Sequence, residues 1–460
     1  MRVGSVRSSE CLGDGRRLNA GYFLAEDEQA VRRLRAWSRD QAELGDLVAE
    51  VYSGPIFRKI SVAAGRGVGY VSANDLFRAC IAPSDHLSNR HGELLDSLRL
   101  IPGTIILTCS GMNLGKSIWV RDDMDGLAGS GDLIRIVPDA NKAPGGFVFA
   151  FMSSRYGVAS VRKLIFGGHI KHIAPNDVSR ILVPRLGDDI EQQVHRLVIA
   201  AARSRAAAAH LKAKANGIFL NQLGLSDISS TDTPISFATF TVSSGILGRL
   251  DAAHHSPSCR SATQQLAESA SERRAVADVG EVFTPGIFKR RHVEIPEYGY
   301  PYFSGSELFQ IDAAPRGYLS RKWPGIEDYR VEKDWLLIQD AGQLGGLIGN
   351  VVRVPPSVAG GVVSNHLMRV AIDDHENAAY VFAVLSSAHG YRSIVRNAFG
   401  SSIPQLDPKH VGAIQVPWPD DRVRTAVAAP VLRAWQLEDE AIISGRSAVA
   451  LVERAIEEAA

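Results

Sequence analysis

The sequence predicts an α+β protein made of two similar modules, each followed by a long helix. Three observations predict it. First, the chain repeats itself. Val148-Phe-Ala-Phe-Met-Ser-Ser-Arg-Tyr-Gly157 returns as Val381-Phe-Ala-Val-Leu-Ser-Ser-Ala-His-Gly390, with six of ten positions identical at an offset of 233. Val51-Tyr-Ser-Gly-Pro-Ile-Phe-Arg-Lys59 returns as Val282-Phe-Thr-Pro-Gly-Ile-Phe-Lys-Arg290 at an offset of 231, and Arg17-Leu-Asn-Ala20 as Arg249-Leu-Asp-Ala252 at 232. Solenoid units are only about 20–50 residues long, so a period near half the chain marks two whole domains. Second, short apolar runs alternate with Gly- and Pro-rich turns. Third, a heptad-like apolar run follows the first module.

The first half gives strand-like runs at Val68–Ser72, Thr104–Thr108, Leu133–Val137 and Ile181–Val183. Turns such as Ser53-Gly-Pro55 and Ile101-Pro-Gly103 separate them, and Phe147–Arg162 has helical spacing. Pro184 ends the module. From Asp188, Ile190, Val194, Leu197, Ala201, Ser204, Ala208, Leu211, Ala215 and Ile218 alternate at spacings of 4 and 3. That is the seam of a helix lying lengthwise on another, roughly 45 Å long over about 30 residues. Leu225–Phe237, rich in Ser and Thr, reads as a linker. The second half repeats the pattern at Tyr302–Ser304, Leu336–Ile338, Leu367–Val370, Tyr380–Ser387 and Ala413–Val416. After Pro417-Trp-Pro419, Trp435, Ile442, Val449 and Ile456 fall at heptad spacing beside Val431, Val452 and Ala455; Pro430 and Gly445 are expected to weaken or kink this helix. The division is therefore a first module at 1–187, a helix at 188–222, a linker at 223–245, a second module at 246–418 and a second helix at 419–460.

Composition sets the class. With 45% apolar and 22% charged residues over 460 positions, either half can bury its own core. No run of about 18 apolar residues exists to span a membrane. The N-terminus lacks the apolar centre of a signal peptide. Cys11, Cys80, Cys109 and Cys259 are scattered, which argues against zinc and disulfides and for a reducing, cytoplasmic location. The net charge of +1 gives no nucleic-acid signal by itself. Residues 140–185, however, carry Lys142, Arg155, Arg162, Lys163, Lys171, Arg180 and Arg185 against the single acid Asp177, with His169 and His172 among them. A local excess of this kind can neutralise phosphates.

No motif carries catalysis. Gly111-Met-Asn-Leu-Gly-Lys-Ser117 resembles a phosphate-binding loop but is one residue short between its glycines, and its counterpart Gly342-Gln-Leu-Gly-Gly-Leu347 has no Lys-Ser. Gly65-Arg-Gly-Val-Gly69 lacks the dinucleotide spacing. His254-His255 has no ligand set around it, and the counterparts of His169 and His172 are Ser402 and Gln405. No acid pair, nucleophile set or metal cluster recurs in both halves, so the chain is expected not to be an enzyme and to carry no cofactor or metal of its own. What does recur is a polar turn after an aromatic, Phe166-Gly-Gly-His-Ile170 and Phe399-Gly-Ser-Ser-Ile403. A basic block after Ile-Phe recurs too, Arg58-Lys59 and Lys289-Arg-Arg291. Such groups suit contacts to phosphates and base edges.

These residues resemble the DNA-specificity (S) subunit of type I restriction-modification systems. The resemblance rests on Arg249-Leu-Asp-Ala-Ala-His-His-Ser-Pro257 and its variant Arg17-Leu-Asn-Ala-Gly-Tyr-Phe23, and on the strand-rich middle with its Phe-Gly-x-x-Ile turn. It also rests on an apolar strand ending in Pro and on the helix start Pro184-Arg-Leu-Gly-Asp-Asp-Ile-Glu-Gln-Gln193, replaced in the second copy by Pro417-Trp-Pro-Asp-Asp-Arg-Val-Arg424. It covers almost the whole chain. It implies two target-recognition domains held apart by two long antiparallel coiled-coil helices with pseudo-twofold symmetry, each domain reading half of a bipartite double-stranded DNA site. It also implies partners: methyltransferase subunits, expected in two copies, which bind S-adenosylmethionine, and in some systems a restriction motor-nuclease. The residues expected at DNA are Arg58, Lys59, Arg155, Arg162, Lys163, His169 and Lys171 in the first module. In the second they are Lys289, Arg290, Arg291, Arg392, Arg396, Ser401, Ser402 and Gln405. The rival expectation is a duplicated scaffold of a phage-defence assembly without sequence readout.

Overall fold

The computed structural model describes residues 27–83, 85–110, 113–165, 172–228 and 254–458. Their contacts divide into two units, Met1–Ala206 with Glu440–Ala460, and Ala207–Asp439. Helices of eight residues or more are numbered below.

The first unit begins with α1 (Asp27–Arg35), β1 (Gln41–Glu43), β2 (Val48–Ser53), β3 (Gly67–Val71), β4 (Asp85–Ser88), β5 (Ile105–Thr108) and β6 (Ser117–Trp119). It continues through β7 (Ala128–Gly129), β8 (Leu133–Pro138), α2 (Gly145–Ser153), α3 (Arg155–Lys163) and β9 (Leu182–Pro184) into α4 (Asp188–Gln222). One sheet has the order β2-β8-β5-β6, antiparallel throughout. A smaller one, β4-β3-β7, sets β3 antiparallel to β4 and parallel to β7. β1 pairs with β9, Gln41 opposite Pro184. The continuous apolar run Ile105-Ile-Leu107 is buried on both faces, as a central strand covered on both sides must be. Phe147 and Phe151 of α2 share the core with Ile105, Ile134, Val194 and Val198, and with Ala448, Val452 and Ile456.

The second unit runs through α5 (Pro257–Glu268), β10 (Arg273–Ala275), β11 (Glu281–Phe283), β12 (His292–Val293), β13 (Gly299–Phe303), β14 (Gly317–Ser320) and β15 (Leu336–Gln339). It then gives β16 (Val351–Arg353), β17 (Val362–Val363), β18 (Leu367–Ala371), α6 (His375–Ser386), α7 (Ala388–Val395) and β19 (Gln415–Pro417) before α8 (Asp421–Glu458). Its sheets follow the same plan. β11-β18-β15-β16 matches the first unit's larger sheet, and β14-β13-β17 matches β4-β3-β7 with the extra strand β12 beside β14. Tyr302 lies opposite Val362 in the parallel pair as Tyr70 lies opposite Ala128, and Arg273 lies opposite Pro417 as Gln41 lies opposite Pro184.

The most similar stretch of the repeat has a local cause. Phe147–Arg162 is not one helix but two, broken at Ser154. The Ser154 hydroxyl donates to the Phe151 carbonyl at 2.6 Å and accepts from the Gly157 amide at 3.2 Å, so it ends α2 and caps α3. Ser387 does the same between α6 and α7, donating to Val384 at 2.6 Å and accepting from Gly390 at 3.0 Å. Gly157 and Gly390 stand so close to the preceding helix that a Cβ would lie 2.2 Å from the Phe151 oxygen and 2.1 Å from the Val384 oxygen. The counterpart run Tyr380–Ser387 is helical too, with Tyr380–Ser386 inside α6 and Ser387 as its cap.

An arginine ties the two larger sheets of each unit together. Arg135 of β8 is fully buried and donates to the carbonyls of Leu133 (3.0 Å), Leu98 (3.1 Å) and Gly129 (3.4 Å). Arg369 of β18 donates to Ser364 (3.0 Å), Tyr329 (3.2 Å), Val363 (3.2 Å) and Leu367. Burial pulls both guanidinium groups below their ordinary range, Arg369 to about 10.

The long helices differ from the heptad seam in detail. Val194, Ala201, Ala208 and Ala215 are buried, but Ile190, Leu197, Leu211 and Ile218 are only half-buried, and Val198 and Phe219 take inner places. A helix of 3.6 residues per turn drifts away from a 3.5 period, and these residues also cover their own unit's core, which needs a broader stripe. α8 continues through Pro430 and Gly445, the two residues expected to weaken or kink it. Val427, Ala428, Val431 and Trp435 around Pro430 are buried in one core, and that packing outweighs the one backbone bond a proline removes. α4 starts on a clasp, in which both Glu191 oxygens take Arg185 hydrogen bonds at 2.9 Å and Oε1 also takes the Leu186 amide at 3.0 Å. At the start of α8 the Asp420 side chain accepts from the Val423 amide (3.0 Å), and Arg424, paired with Asp421, lies over Trp418. Among the described residues, no helix is long and apolar enough to cross a membrane.

Candidate nucleic-acid interface

Each unit carries one outward loop between its two sheets, after β2 in the first and after β11 in the second. The sequence Ile-Phe-basic-basic alternates direction there. Ile56 is 96% exposed and Ile287 is 90% exposed. The next residue turns inward. Phe57 packs beside the cluster of Tyr70 and Leu87 and meets His91 edge-on at 5.4 Å. Phe288 is buried against Tyr329 (4.0 Å) and Trp323 (5.5 Å). The cations that follow turn outward again.

Both loops are held at their exits by the same bond. The Ser88 amide donates to the Ile60 carbonyl at 2.9 Å, and the Ser320 amide donates to the Arg291 carbonyl at 2.9 Å. The first loop is also pinned at its start, because a Cβ on Gly131 would lie 2.5 Å from the Pro55 carbonyl. One cation in each block lies over a strand tyrosine. Lys59 Nζ is 4.0 Å from the Tyr70 ring centre, and the Arg290 guanidinium is 5.5 Å from that of Tyr302. Arg58, Lys59, Lys289, Arg290 and Arg291 are exposed, and among the described residues none of them is ion-paired with a carboxylate. A fixed loop presenting unpaired cations is chemically suited to a phosphate backbone.

In the second unit further cations stand over Tyr300, Arg321 at 4.8 Å and Arg330 at 4.6 Å. Here an acid intervenes. Glu327 takes bonds from Arg330 (2.6 Å) and the Tyr300 hydroxyl (2.8 Å), and these hold its carboxyl below the usual range.

The helix cations expected at DNA lie elsewhere. Lys163 is buried and paired with Glu28 of α1. Arg155 is ion-paired with Glu457, and its amide donates to Glu453 at 2.7 Å. Arg392 donates to the Ile228 carbonyl (3.0 Å) and Arg396 to the His254 carbonyl (2.9 Å). These groups hold chain to chain. Helix-borne charges look alike in sequence whether they meet solvent or a distant acid. Arg162 is exposed on α3. Ser401, Ser402 and Gln405 are exposed on a turn closed by paired bonds between Phe399 and Gln405 at 2.9 and 2.8 Å, with Gln343 donating to the Ser402 carbonyl at 3.2 Å. His169, Lys171 and the Phe166–Ile170 turn lie outside the described residues, as do Arg17–Phe23 and Arg249–Ala253. Sequence reasoning missed Tyr70, Tyr302 and the buried arginines. A strand tyrosine and an arginine inside an apolar strand were the available signals.

The glycine-lysine segment is not a phosphate loop. Ser117 opens the strand β6 rather than a helix, and Lys116 lies over Phe77 at 5.8 Å. His254 and His255 stack edge-on at 5.0 Å. Among the described residues, no group of three or more His, Cys, Asp or Glu could hold a metal ion.

No protein-family model matches the chain, and the search of curated proteins found no match. Among solved structures it is similar to the type I restriction-modification S subunit from M. genitalium, at 13% identity over 91% of this chain and 95% of that one, with a TM-score of 0.35. The HsdS subunit from Thermoanaerobacter tengcongensis aligns at 13% identity over 92% and 97%, TM-score 0.29. A chain from a structure of the type I R-M system concerned with complex assembly and conformational transition aligns at 14% over 91% and 97%, TM-score 0.27.

Proposed function

We propose that this chain is a non-catalytic, sequence-specific DNA-binding subunit of a type I restriction-modification complex. It reads a bipartite double-stranded site and directs a partner adenine methyltransferase, and a motor-nuclease where the system has one. The partner methyltransferase, in two copies, supplies S-adenosylmethionine. In this reading 1–187 and 246–418 are the recognition modules, 188–222 and 419–460 the spacer helices, and 223–245 the linker. Arg58, Lys59, Lys289, Arg290 and Arg291 meet phosphates, joined by Arg162, His169, Lys171, Ser401, Ser402 and Gln405.

One observation carries the reading. The same anchored loop, with unpaired cations over a strand tyrosine, occurs once in each of two units of matching topology. A single polyanion with repeated geometry is the natural target of two such loops. The test is selection of duplexes from a random-sequence pool by the full chain. Two enriched half-sites at a fixed separation are expected. Recovery of DNA with no sequence preference overturns the reading, and so does no recovery at all.

A further inference from the structure

Resting on that DNA reading, we propose that Ile56 and Ile287 are base-contacting residues, each pressing its side chain onto base pairs of one half-site. Nothing in the fold needs an isoleucine at these positions. Each is almost wholly in water, at 96% and 90% exposure, where an apolar side chain gains nothing from the hydrophobic effect. Yet isoleucine stands at the same place in both diverged copies, although the residues before it differ, Ser53-Gly-Pro55 against Thr284-Pro-Gly286.

The side chain is also held outward. In the first loop Pro55 is fixed against Gly131 on one side, and Phe57 turns into the protein on the other. In the second, Phe288 is clamped between Tyr329 and Trp323.

The neighbours identify the ligand. Two or three unpaired cations follow each isoleucine at once, so the ligand presents an apolar surface beside closely spaced negative charge. Base pairs flanked by phosphates have that form. A lipid surface shares it, but one isoleucine per loop buries too little to anchor a protein there. The apolar surface has two sources in DNA. One is the thymine methyl group at the major-groove edge, the other a base step opened by an inserted side chain.

The test uses the full chain and the duplex it enriches from the random pool. Ile56→Ala and Ile287→Ala are each expected to lower affinity for that duplex about tenfold, the size of one lost base-pair contact. Each should relax preference in one half-site only. The salt dependence and the affinity for a scrambled duplex should stay as in the wild type, because no phosphate contact is lost. Ile→Val at either position should retain most of the affinity. Replacing thymine by uracil in the affected half-site reproduces the alanine loss if the methyl is the contact. If a step is opened, 2-aminopurine there brightens on binding to the wild type and not to the alanine variant.

Wild-type selection with unchanged alanine variants overturns the inference alone. A loss shared by the scrambled duplex overturns it in favour of a phosphate or fold effect. A loss without either the uracil or the 2-aminopurine response also counts against it, as does binding to anionic vesicles that the alanine variants abolish. If the wild type selects no sequence, the DNA reading falls first and takes this inference with it.

Discussion

Lys59 Nζ lies 4.0 Å from the centre of the Tyr70 ring. Its counterpart Arg290 stands over Tyr302 at 5.5 Å, so the two units hold a cation in the same way with different side chains. The ring limits where the charge can go while leaving its donors exposed. Replacing Arg58 and Lys59 together by alanine is expected to weaken binding to all duplexes alike. The slope of log affinity against log salt should fall by about 1 to 2, since each phosphate contact contributes about 0.9. Equilibrium titrations at several salt concentrations measure it. An unchanged slope removes these residues from the backbone contacts.

The basic block was legible because its parts are adjacent in sequence and repeated at one offset. The tyrosine beneath was not, because strand β3 brings Tyr70 to Lys59 and no spacing announces it. The strands at 105–108 and 133–138 were legible as apolar runs. The break at Ser154 was not, because the apolar periodicity continues across it and only the hydroxyl and the glycine mark the turn. The partners of the helix cations were not legible, for the opposite reason. Arg155 and Lys163 sit in a basic stretch, but Glu457 and Glu28, which engage them, lie far away along the chain.

Lys163 gives the sharpest separation of those roles. Lys163→Met should leave the salt dependence of DNA binding untouched while destabilising the protein by about 1–2 kcal/mol, because half-buried Glu28 loses one of its two cations and keeps the other, Arg32, at 2.8 Å. Adding Glu28→Gln should recover little of that loss, because it also removes the Arg32–Glu28 pair. Urea denaturation of both variants reads it. A reduced salt slope with intact stability would restore Lys163 to the DNA surface.

Arg369 is expected to tolerate no substitution. Arg369→Met removes the donors to the carbonyls of Tyr329 and Val363 inside the protein, while Ser364 keeps the Leu367 amide at 3.2 Å, and each unsatisfied buried group costs about 1–3 kcal/mol. Arg369→Lys should be nearly as damaging, since an ammonium cannot reproduce a planar fork of donors. Arg135→Met should behave alike through Leu98, Leu133 and Gly129. Loss of soluble, folded protein or a marked fall in thermal midpoint is the expected result for all three.

Glycine substitutions should split by location. Gly157→Ala and Gly390→Ala drive a methyl into backbone at 2.2 and 2.1 Å, which neither helix can yield without separating. A loss of about 2–4 kcal/mol is expected. Gly217→Ala, in α4 with nothing within 4 Å of the added carbon, should instead gain up to about 1 kcal/mol from helix propensity. Thermal melts followed by circular dichroism compare the three.

Asp340 supplies a pH dependence whose sign is opposite to the common carboxylate case. Burial pushes its carboxyl up to about 6, and the nearby His366 and Arg369 only partly oppose the shift. His366 Nδ1 lies 3.4 Å from Asp340 Oδ1, a long contact that offsets the burial only in part. Between the unfolded value of about 3.8 and the folded value of about 6, the folded chain holds a proton that the unfolded chain has released. Stability from this group is therefore full below about pH 4 and falls as pH rises through 6, by about 2–3 kcal/mol. Asp340→Asn keeps the shape and removes the charge. It should be more stable than the wild type above pH 6 and converge with it towards pH 4. Urea denaturation followed by tryptophan fluorescence from pH 4.5 to 7.5 tests this. A constant difference between the two proteins across that range would mean that Asp340 does not titrate there.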